Sequence, residues 1–205
     1  MSTLDKTRRL LKLASDRSKA LVVINADPDA IASAMAVKRM LWRKVSEVVI
    51  AHFNPITRPD NLAMIMYTES GLIHLDTINK DEFDLFIVVD SQPDHNERFQ
   101  DFEFGIIIDR HPLSCDNAAY ADIRPDYGAC STILTEYLKS RKIKPSSKLA
   151  AALMLGIKTD TADFTRQASL RDIRAFQCLY KFANNNIITK VERAALTQDD
   201  LDFLG

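Results

Sequence analysis

The sequence predicts an α/β fold in which a mainly parallel sheet is flanked by helices, with a helical C-terminal portion. Apolar runs such as 21–24 and 85–89 are continuous rather than alternating, which is typical of strands covered on both faces. They are separated by segments of helical length, an order that favours parallel strands packed between helices. Because 205 residues suffice for one sizeable core, we expect a single domain over residues 1–205.

The individual elements follow from local patterns. Runs rich in Val and Ile predict strands, and longer segments with apolar residues at helical spacing predict helices. The predicted strands are 21–24, 48–51, 72–75, 85–89 and 105–108, of which 72–75 has the weakest pattern. The predicted helices are an opening helix around Leu10, Leu11 and Leu13, then 29–42, 61–67, 129–139, 147–157, 169–183 and 187–195.

Composition narrows the class of protein. Hydrophobic residues make up 46% and charged residues 27%, and 27 Lys and Arg against 28 Asp and Glu leave a net charge of -1. This balance excludes a disordered chain and a surface that coats polyanions generally. The chain has no uncharged apolar span long enough to cross a bilayer, and its charged N-terminus lacks the pattern of a secretory signal. We therefore expect a cytoplasmic protein without a membrane partner.

Aspartates follow the predicted strands at the points where the strands end. Asp27 comes shortly after 21–24, Asp90 directly follows 85–89, and Asp109 directly follows 105–108. The carboxyl ends of parallel strands share one edge of the sheet, where ligand crevices form. These three carboxylates are therefore expected to converge.

Further polar residues join the same edge. Asp27 is placed to cap the second helix and Asp29 lies in its first turn, while Asp160 follows an apolar stretch that could reach the edge. His111 adds a nitrogen donor. Clustered carboxylates repel unless a cation neutralises them, and oxygen ligands suit Mn²⁺ or Mg²⁺. An aspartate between two such ions would bridge them, leaving a water acidified enough to attack phosphorus.

Each of these residues also has an ordinary explanation. Asp27 alone is more often a helix cap, and a strand-end aspartate such as Asp90 or Asp109 often only starts a loop. His111 alone would be a solvated loop residue. The joint placement is what favours a metal site. Three histidines carry no spacing signal and are interpreted as ordinary: His52, His74 and His95.

With these residues identified, the chain resembles the DHH phosphoesterase family over nearly its whole length. The family includes RecJ-type exonucleases, oligoribonucleases, cyclic-dinucleotide phosphodiesterases, exopolyphosphatases and family II inorganic pyrophosphatases. Residues 25–34 resemble the first motif, 88–91 the second, 109–112 the signature motif and 156–161 the fourth. The stretch 128–132 is similar to a small-residue turn that faces the site in the family.

The resemblance implies a role for each matching residue. It implies that four aspartates hold Mn²⁺ or Mg²⁺, with Asp90 in the bridging position. The four are Asp27, Asp29, Asp90 and Asp160. Asp109 would orient its neighbours, and His111 would contact the phosphate or protonate the leaving oxygen. Backbone N–H groups of Ser131 and Thr132 at a helix start would meet a phosphate. The implied activity is hydrolysis of a phosphoester or phosphoanhydride in a nucleotide, short oligonucleotide or polyphosphate.

Two positions depart from the family pattern and leave the chemistry open. Val23 stands where the family places a histidine that ligates the first metal, and Arg110 stands where it places one that ligates the second. Arginine stays protonated and has no lone pair for a metal, so Arg110 can act only as a fixed charge or bind a phosphate. Either hydrolysis survives with weaker metal binding, or the chain binds a phosphorylated ligand or a protein partner without turnover.

A third departure from the family pattern concerns how the substrate's phosphates are bound. Many family members carry a second domain with a glycine-rich basic motif, and this sequence reaches Gly205 without one. We expect the phosphate contacts to come from this domain, a homo-oligomer or a partner chain. Besides Arg110, the candidate contacts within the sequence are Arg58, Arg124 and Lys158.

Overall fold

The computed structural model describes residues 1–16 and 18–195, which form one six-stranded parallel sheet with seven α-helices. The strands are β1 (Lys19–Ile24), β2 (Glu47–His52), β3 (Leu72–His74), β4 (Leu85–Val89), β5 (Phe104–Asp109) and β6 (Tyr120–Ile123). The helices are α1 (Thr3–Leu11), α2 (Pro28–Leu41), α3 (Pro59–Thr68), α4 (Cys130–Ser140), α5 (Ser147–Asp160), α6 (Leu170–Tyr180) and α7 (Asn185–Ala194). Short 3₁₀ helices span Leu75–Thr77, Lys80–Glu82 and Glu97–Phe99. The predicted α/β class with a mainly parallel sheet is confirmed.

The two faces of the sheet are covered by different elements. Ala20, Val22 and Ile24 of β1 belong to the large apolar core that also contains the buried faces of α2, α4 and α5. The alternate residues, Leu21 and Val23, lie in a smaller cluster with aromatic residues from the loops and 3₁₀ segments. The continuous apolar pattern of the strands thus reflects burial on both faces, although one covering layer is not made of α-helices.

The strand order β3-β2-β1-β4-β5-β6 reverses direction between β1 and β4. From β1 the chain adds β2 and then β3 on one side. It then returns to the other side of β1, where β4, β5 and β6 follow in order. The loops after β1 and β4 therefore leave in opposite directions and open a crevice at the carboxyl edge of the sheet. Asp27 and Asp29 follow β1, and Asp90 follows β4, so the strand order itself places them on the two sides of this crevice.

Helix α5 packs closely against α2 because Gly156 has no side chain. A Cβ atom at Gly156 would lie 2.5 Å from Ser131 Oγ and 2.9 Å from Asp29 Oδ1, distances that no real Cβ contact tolerates. The glycine therefore permits the close approach that carries Asp160, the last residue of α5, to the start of α2. Sequence analysis noted Gly156 within a motif but assigned it no role.

The structure differs from the sequence-based expectations at several element ends, and two of the differences bear on the sheet and the site. Strand β6 was not predicted, because Tyr120–Ile123 is short and Asp122 interrupts its apolar pattern. The helix predicted over 147–157 extends to Asp160, which makes that aspartate a helix-terminal residue. No helix within the described residues is both long and apolar enough to span a membrane. A cytoplasmic location stays a prediction.

Candidate metal centre

Three aspartates from distant parts of the chain meet at the carboxyl edge of the sheet. One carboxylate oxygen from each of Asp29, Asp90 and Asp160 lies within 4.8 Å of the other two. They come from the first turn of α2, the residue after β4 and the end of α5. The structure therefore brings together three of the four aspartates that sequence analysis proposed as metal ligands. We call Asp29, Asp90, Asp160 and their neighbour Asp27 the acidic cluster.

Asp27 has two roles in the geometry. Its Oδ1 accepts a hydrogen bond of 2.8 Å from the Ala30 N–H and so caps α2. It also lines the same cavity as Asp90, although it lies outside the group of three that share the 4.8 Å limit. Burial raises the pKa of Asp27, and the nearby charge of Asp29 adds to the increase. The capping explanation is thus correct without removing Asp27 from the cluster.

Asp29 is fully buried and binds the start of α4. Its Oδ2 accepts a hydrogen bond of 2.6 Å from the Cys130 N–H, and its Oδ1 accepts one of 2.8 Å from the Ser131 N–H. These backbone donors were expected to meet a substrate phosphate. Ser131 and Thr132 are instead completely buried, and Thr132 Oγ1 donates to Asp172. Asp29 thus supplies the negative charge at this helix terminus, and the phosphate contact at Ser131 and Thr132 stays a prediction.

The pKa values of the acidic cluster are raised. Burial, with the charge of Asp160, raises the pKa of the Asp29 carboxyl to about 7. Burial and the charges of Asp29 and Asp27 raise the pKa of Asp90 well above its usual range. The pKa of Asp160 is raised by burial as well, although Arg110 opposes the increase. Shifts in this direction mean that the carboxylates have too little positive charge around them.

Arg110 supplies one positive charge inside the cluster. Its Nη2 lies 2.7 Å from Asp160 Oδ2, and its Nε lies 3.8 Å from Asp90 Oδ1. The Arg110 side chain is only 17% exposed. Burial opposes the charged form, yet the carboxylates of Asp160 and Asp90 raise the pKa of Arg110, so the guanidinium stays protonated.

Several polar atoms of the cluster lack partners among the residues that the structure describes. Asp90 Oδ1 is buried and accepts no hydrogen bond from them, and the Arg110 Nε donates none to them. Asp160 Oδ2 is buried as well, and Arg110 Nη2 is the donor nearest to it. Asp90 also holds a left-handed backbone conformation with φ of 55°, which is costly for a residue other than glycine. A buried acceptor without a donor and a donor set made of carboxylate oxygens fit a hard divalent cation such as Mn²⁺ or Mg²⁺.

Asp109 and His111 form a separate pair beside the cluster. Asp109 is fully buried, with Oδ1 lying 2.8 Å from His111 Nδ1 and Oδ2 accepting from Gln92 Nε2 at 2.7 Å. Although burial opposes it, these hydrogen bonds lower the pKa of Asp109, which is therefore ionised and can only accept. His111 consequently donates its Nδ1–H to Asp109, and its Nε2 is the ring atom left to exchange a proton.

Two residues of this region were missed by sequence analysis. His95, interpreted there as ordinary, places its ring centroid 5.5 Å from that of His111. Gln92 is fully buried, and its Oε1 accepts hydrogen bonds of 2.8 Å from the backbone N–H groups of Ser114 and Cys115. The Gln92 amide thus fixes the loop after β5 against Asp109. Neither residue follows a strand directly, so the strand-end pattern gave no signal for them.

Two members of the acidic cluster, Asp27 and Asp90, line a cavity of about 210 Å³. Nine residues line it: Asn25, Asp27, Asp90, Ser91, His95, Asn96, Phe99, Arg110 and His111. Arg110 and His111 therefore share one small polar space with these two aspartates.

The other predicted cationic contacts lie elsewhere. Arg58 is 63% exposed and paired with Asp60. Lys158 pairs with Asp163 and Glu192. Arg58 and Lys158 line a neighbouring cavity. Asp122 and Glu136 bind Arg124. Of the four, Arg110 is the one that contacts the acidic cluster.

Comparison with known proteins identifies the family. Residues 19–157 match the DHH family, N-terminal domain. The chain belongs to the DHH family. An uncharacterized protein of Methanocaldococcus jannaschii is 33% identical to this DHH chain over 200 residues, which cover 96% of the chain and 42% of that relative. The crystal structure of an exopolyphosphatase-related protein from Bacteroides fragilis superposes with a TM-score of 0.63 at 16% identity, covering 97% of this chain and 58% of that one.

These findings confirm the resemblance and set its scope. The chain spans about half the length of the proteins that it matches, and the structural neighbour shows a shared fold. DHH proteins are a phosphoesterase-type family that is generally metal-dependent, and the acidic cluster is a group that could hold a metal. The structure also locates the two departures from the family pattern. Val23 is fully buried in an apolar cluster, and Arg110 lies among the aspartates.

Proposed function

We propose that this DHH-family chain is a phosphoesterase that hydrolyses a phosphoester or phosphoanhydride with the help of Mn²⁺ or Mg²⁺. The substrate classes are a nucleotide, a short oligonucleotide or a polyphosphate. The observation that carries the proposal is the meeting of Asp29, Asp90 and Asp160 oxygens within 4.8 Å, with the buried Asp90 Oδ1 lacking a hydrogen-bond donor among the described residues.

Asp90 is the main candidate to hold a cation, since its buried Oδ1 accepts no hydrogen bond from the described residues. Asp160 offers a second carboxylate, although Arg110 already pairs with its Oδ2. Asp27 lines the cavity beside them. Asp29 would contribute less, because both of its oxygens accept backbone hydrogen bonds. A bound divalent ion would supply Lewis acidity and an acidified water for attack on phosphorus. If two ions were present, Asp90 would be the residue placed to bridge them.

The remaining roles fall to residues on the opposite side of the cavity. Asp109 holds His111 through Nδ1, which leaves His111 Nε2 to give a proton to the leaving oxygen. Arg110 has a guanidinium fork, the geometry that suits a phosphate group. The cavity is small, so we propose that further contacts to the substrate come from a second copy of the chain or from a partner chain.

A second function is favoured by one specific observation. A protonated guanidinium within 2.7 Å of a candidate metal ligand would be expected to weaken metal binding. The alternative is therefore a chain that binds a phosphorylated small molecule or a protein partner in this cavity without turning it over.

Hydrolysis assays with and without Mn²⁺ would separate these functions. The panel includes adenosine bisphosphate, short oligoribonucleotides, cyclic dinucleotides and inorganic polyphosphate, and the readout is released phosphate or mononucleotide. We expect Mn²⁺-dependent turnover of at least one substrate, reduced to background by Asp90→Asn. The matched control is Asp126→Asn, which makes the same substitution at an exposed loop aspartate. Turnover that survives Asp90→Asn would reject the assignment of the site.

A direct binding measurement completes the design. The same ligands are titrated into wild-type protein and the Asp90→Asn variant by calorimetry. Binding of a ligand without its turnover, under every metal condition tried, would favour the binding protein over the enzyme.

A further inference from the structure

We propose that the Arg110 guanidinium takes the place of one divalent cation, so that the acidic cluster holds one metal ion per chain. This inference rests on the metal centre of the proposed function and deepens it. The juxtaposition that supports it is a buried guanidinium between Asp90 and Asp160, at the position where a cation bridging those two carboxylates would have to lie.

The backbone fixes where the Arg110 side chain begins. Arg110 directly follows the last residue of β5, and the Asp90 N–H donates a hydrogen bond of 2.9 Å to the Ile108 carbonyl. The two loops are therefore tied together at the carboxyl edge. The side chain starts beside Asp90 and reaches Asp160 on α5, so it crosses the space that these two carboxylates share.

The distances leave no room for a metal ion in that space. Mg²⁺ binds carboxylate oxygens at about 2.0–2.1 Å. Arg110 Nη2 already lies 2.7 Å from Asp160 Oδ2, and Arg110 Nε lies 3.8 Å from Asp90 Oδ1. An ion bonded to both of these oxygens would overlap the guanidinium and would be repelled by its charge. The structure thus closes the cation position between Asp90 and Asp160.

The same contacts leave capacity for one ion on the other side of the carboxylates. In a stable buried salt bridge, the remaining N–H groups of the guanidinium and the remaining oxygens of the carboxylates would form hydrogen bonds. Within the described residues, the Arg110 Nε and Asp90 Oδ1 have no hydrogen-bond partner despite their burial. Arg110 brings a single charge to four aspartates. One divalent ion would bring the positive charge to three against these four carboxylates, so it would neutralise most of the charge that the guanidinium leaves.

Counting bound Mn²⁺ tests this inference without any assay of hydrolysis. Calorimetry gives affinity and stoichiometry, and electron paramagnetic resonance of Mn²⁺ gives an independent count. We expect one Mn²⁺ per wild-type chain. Arg110→His, which replaces the charge with a ligand, should bind two. Arg110→Gln removes the charge without adding a ligand and should bind one ion at least about tenfold more tightly, since repulsion is lost.

Two further variants guard against indirect effects. Arg110→Lys keeps a positive charge and should retain the wild-type stoichiometry and an affinity within about threefold of wild type. Arg8→Gln removes an exposed arginine of α1 and should change nothing. Circular dichroism and thermal unfolding in excess EDTA show that each variant is folded before metal is added. The Arg110→Lys result keeps the test decisive even if one of the other variants at this position does not fold.

Three outcomes would overturn the inference: two ions on the wild-type chain, no ion on either the wild-type chain or Arg110→Gln, or equal affinity for these two proteins. A chain that binds one Mn²⁺ but hydrolyses nothing would retain the inference and contradict the proposed hydrolysis. A chain that hydrolyses its substrate with two ions bound would do the reverse.

Discussion

Two buried groups of aspartate and arginine in this molecule behave in opposite ways. One is the acidic cluster with Arg110. The other, which we call the Asp122 network, consists of Lys6, Asp122, Arg124, Glu136 and Tyr137, and it links β6 to α1 and α4. Both groups are largely inaccessible to solvent. They differ in the number of hydrogen-bond donors available to each carboxylate, and that difference sets the candidate metal centre apart from the Asp122 network.

In the Asp122 network, every carboxylate charge is matched. Arg124 donates from Nε to Asp122 at 3.0 Å and from Nη2 at 2.7 Å, and Lys6 and Tyr137 donate to the same carboxylate. Arg124 Nη1 donates to Glu136 at 2.8 Å. Although burial opposes it, hydrogen bonds from Arg124, Lys6 and Tyr137 lower the pKa of Asp122.

In the acidic cluster, four carboxylates share one guanidinium, and the buried Oδ1 of Asp90 has no donor among the described residues. The pKa values of these carboxyls move up rather than down. A folded protein tolerates such an excess of acceptors at a cost in stability, and functional sites are where that cost recurs. The contrast teaches that an Asp–Arg contact indicates function only when the carboxylates outnumber their donors.

The largest effect should come from breaking the satisfied network. Asp122→Ala leaves the Arg124 guanidinium buried with part of its donor set unpaired, since Arg124 is only 9% exposed. Removing one partner of a buried ion pair costs about 3–5 kcal/mol. We expect a loss of this size in the free energy of unfolding, measured by urea denaturation at pH 7.

An exposed ion pair provides the matched control for that experiment. Asp76 pairs with Arg98 at the surface, where the Asp76 side chain is 59% exposed. Asp76→Ala should cost far less than Asp122→Ala, because exposed ion pairs contribute little to stability. Equal losses for the two variants would show that burial and multiple donors do not distinguish the Asp122 network.

The same contrast shows what the sequence could and could not predict. Long apolar strands and amphipathic helices were predicted to within a few residues, because their patterns are set by burial on one or both faces. Strand β6 was missed because Asp122 lies inside it, and nothing local indicates that Arg124 and Tyr137 will neutralise that charge. Contacts between residues distant in sequence therefore stabilise β6, although its local apolar pattern does not predict a strand.

A smaller effect is expected where α5 approaches the acidic cluster. In an ordinary helix, replacing glycine by alanine stabilises by about 0.5–1 kcal/mol. Gly156→Ala should instead destabilise by about 1–3 kcal/mol, because the new Cβ would lie 2.5 Å from Ser131 Oγ and 2.9 Å from Asp29 Oδ1. Thermal unfolding would measure the loss of stability. Mn²⁺ titration would show whether the displacement of Asp29 changes metal binding. A stabilised variant would contradict the close packing described for α2 and α5.

Prediction of the site succeeded where the topology alone determines position. Asp90 directly follows a strand and Asp29 opens the helix that follows another, so the carboxyl edge collects both of them. The contacts of Ser131 and Arg110 could not be obtained in this way. Whether a helix terminus faces a ligand or a buried aspartate, and which carboxylates a long side chain reaches, depend on packing between elements distant in sequence.

A further effect is a pH dependence caused by the acidic cluster. Unfolded aspartates have a pKa near 3.9, whereas the folded values of Asp29 and Asp90 are raised, that of Asp29 to about 7. A raised carboxyl pKa contributes stability at low pH that is lost as the pH increases toward the folded value. In EDTA, the free energy of unfolding should therefore fall between pH 5 and pH 7.

Asp90→Asn should make that decrease smaller, because it removes one of the repelling carboxylates while keeping a side chain that tolerates the left-handed backbone at this position. Its stability at pH 7 in EDTA should equal or exceed that of the wild type, and Mn²⁺ should no longer raise its melting temperature. The Asp122 network does not disturb the measurement, since the lowered pKa of Asp122 confines its contribution to more acidic conditions. A wild-type protein whose stability rises from pH 5 to pH 7, or an Asp90→Asn variant much less stable than wild type, would show that the carboxylates of the acidic cluster are as well compensated as Asp122.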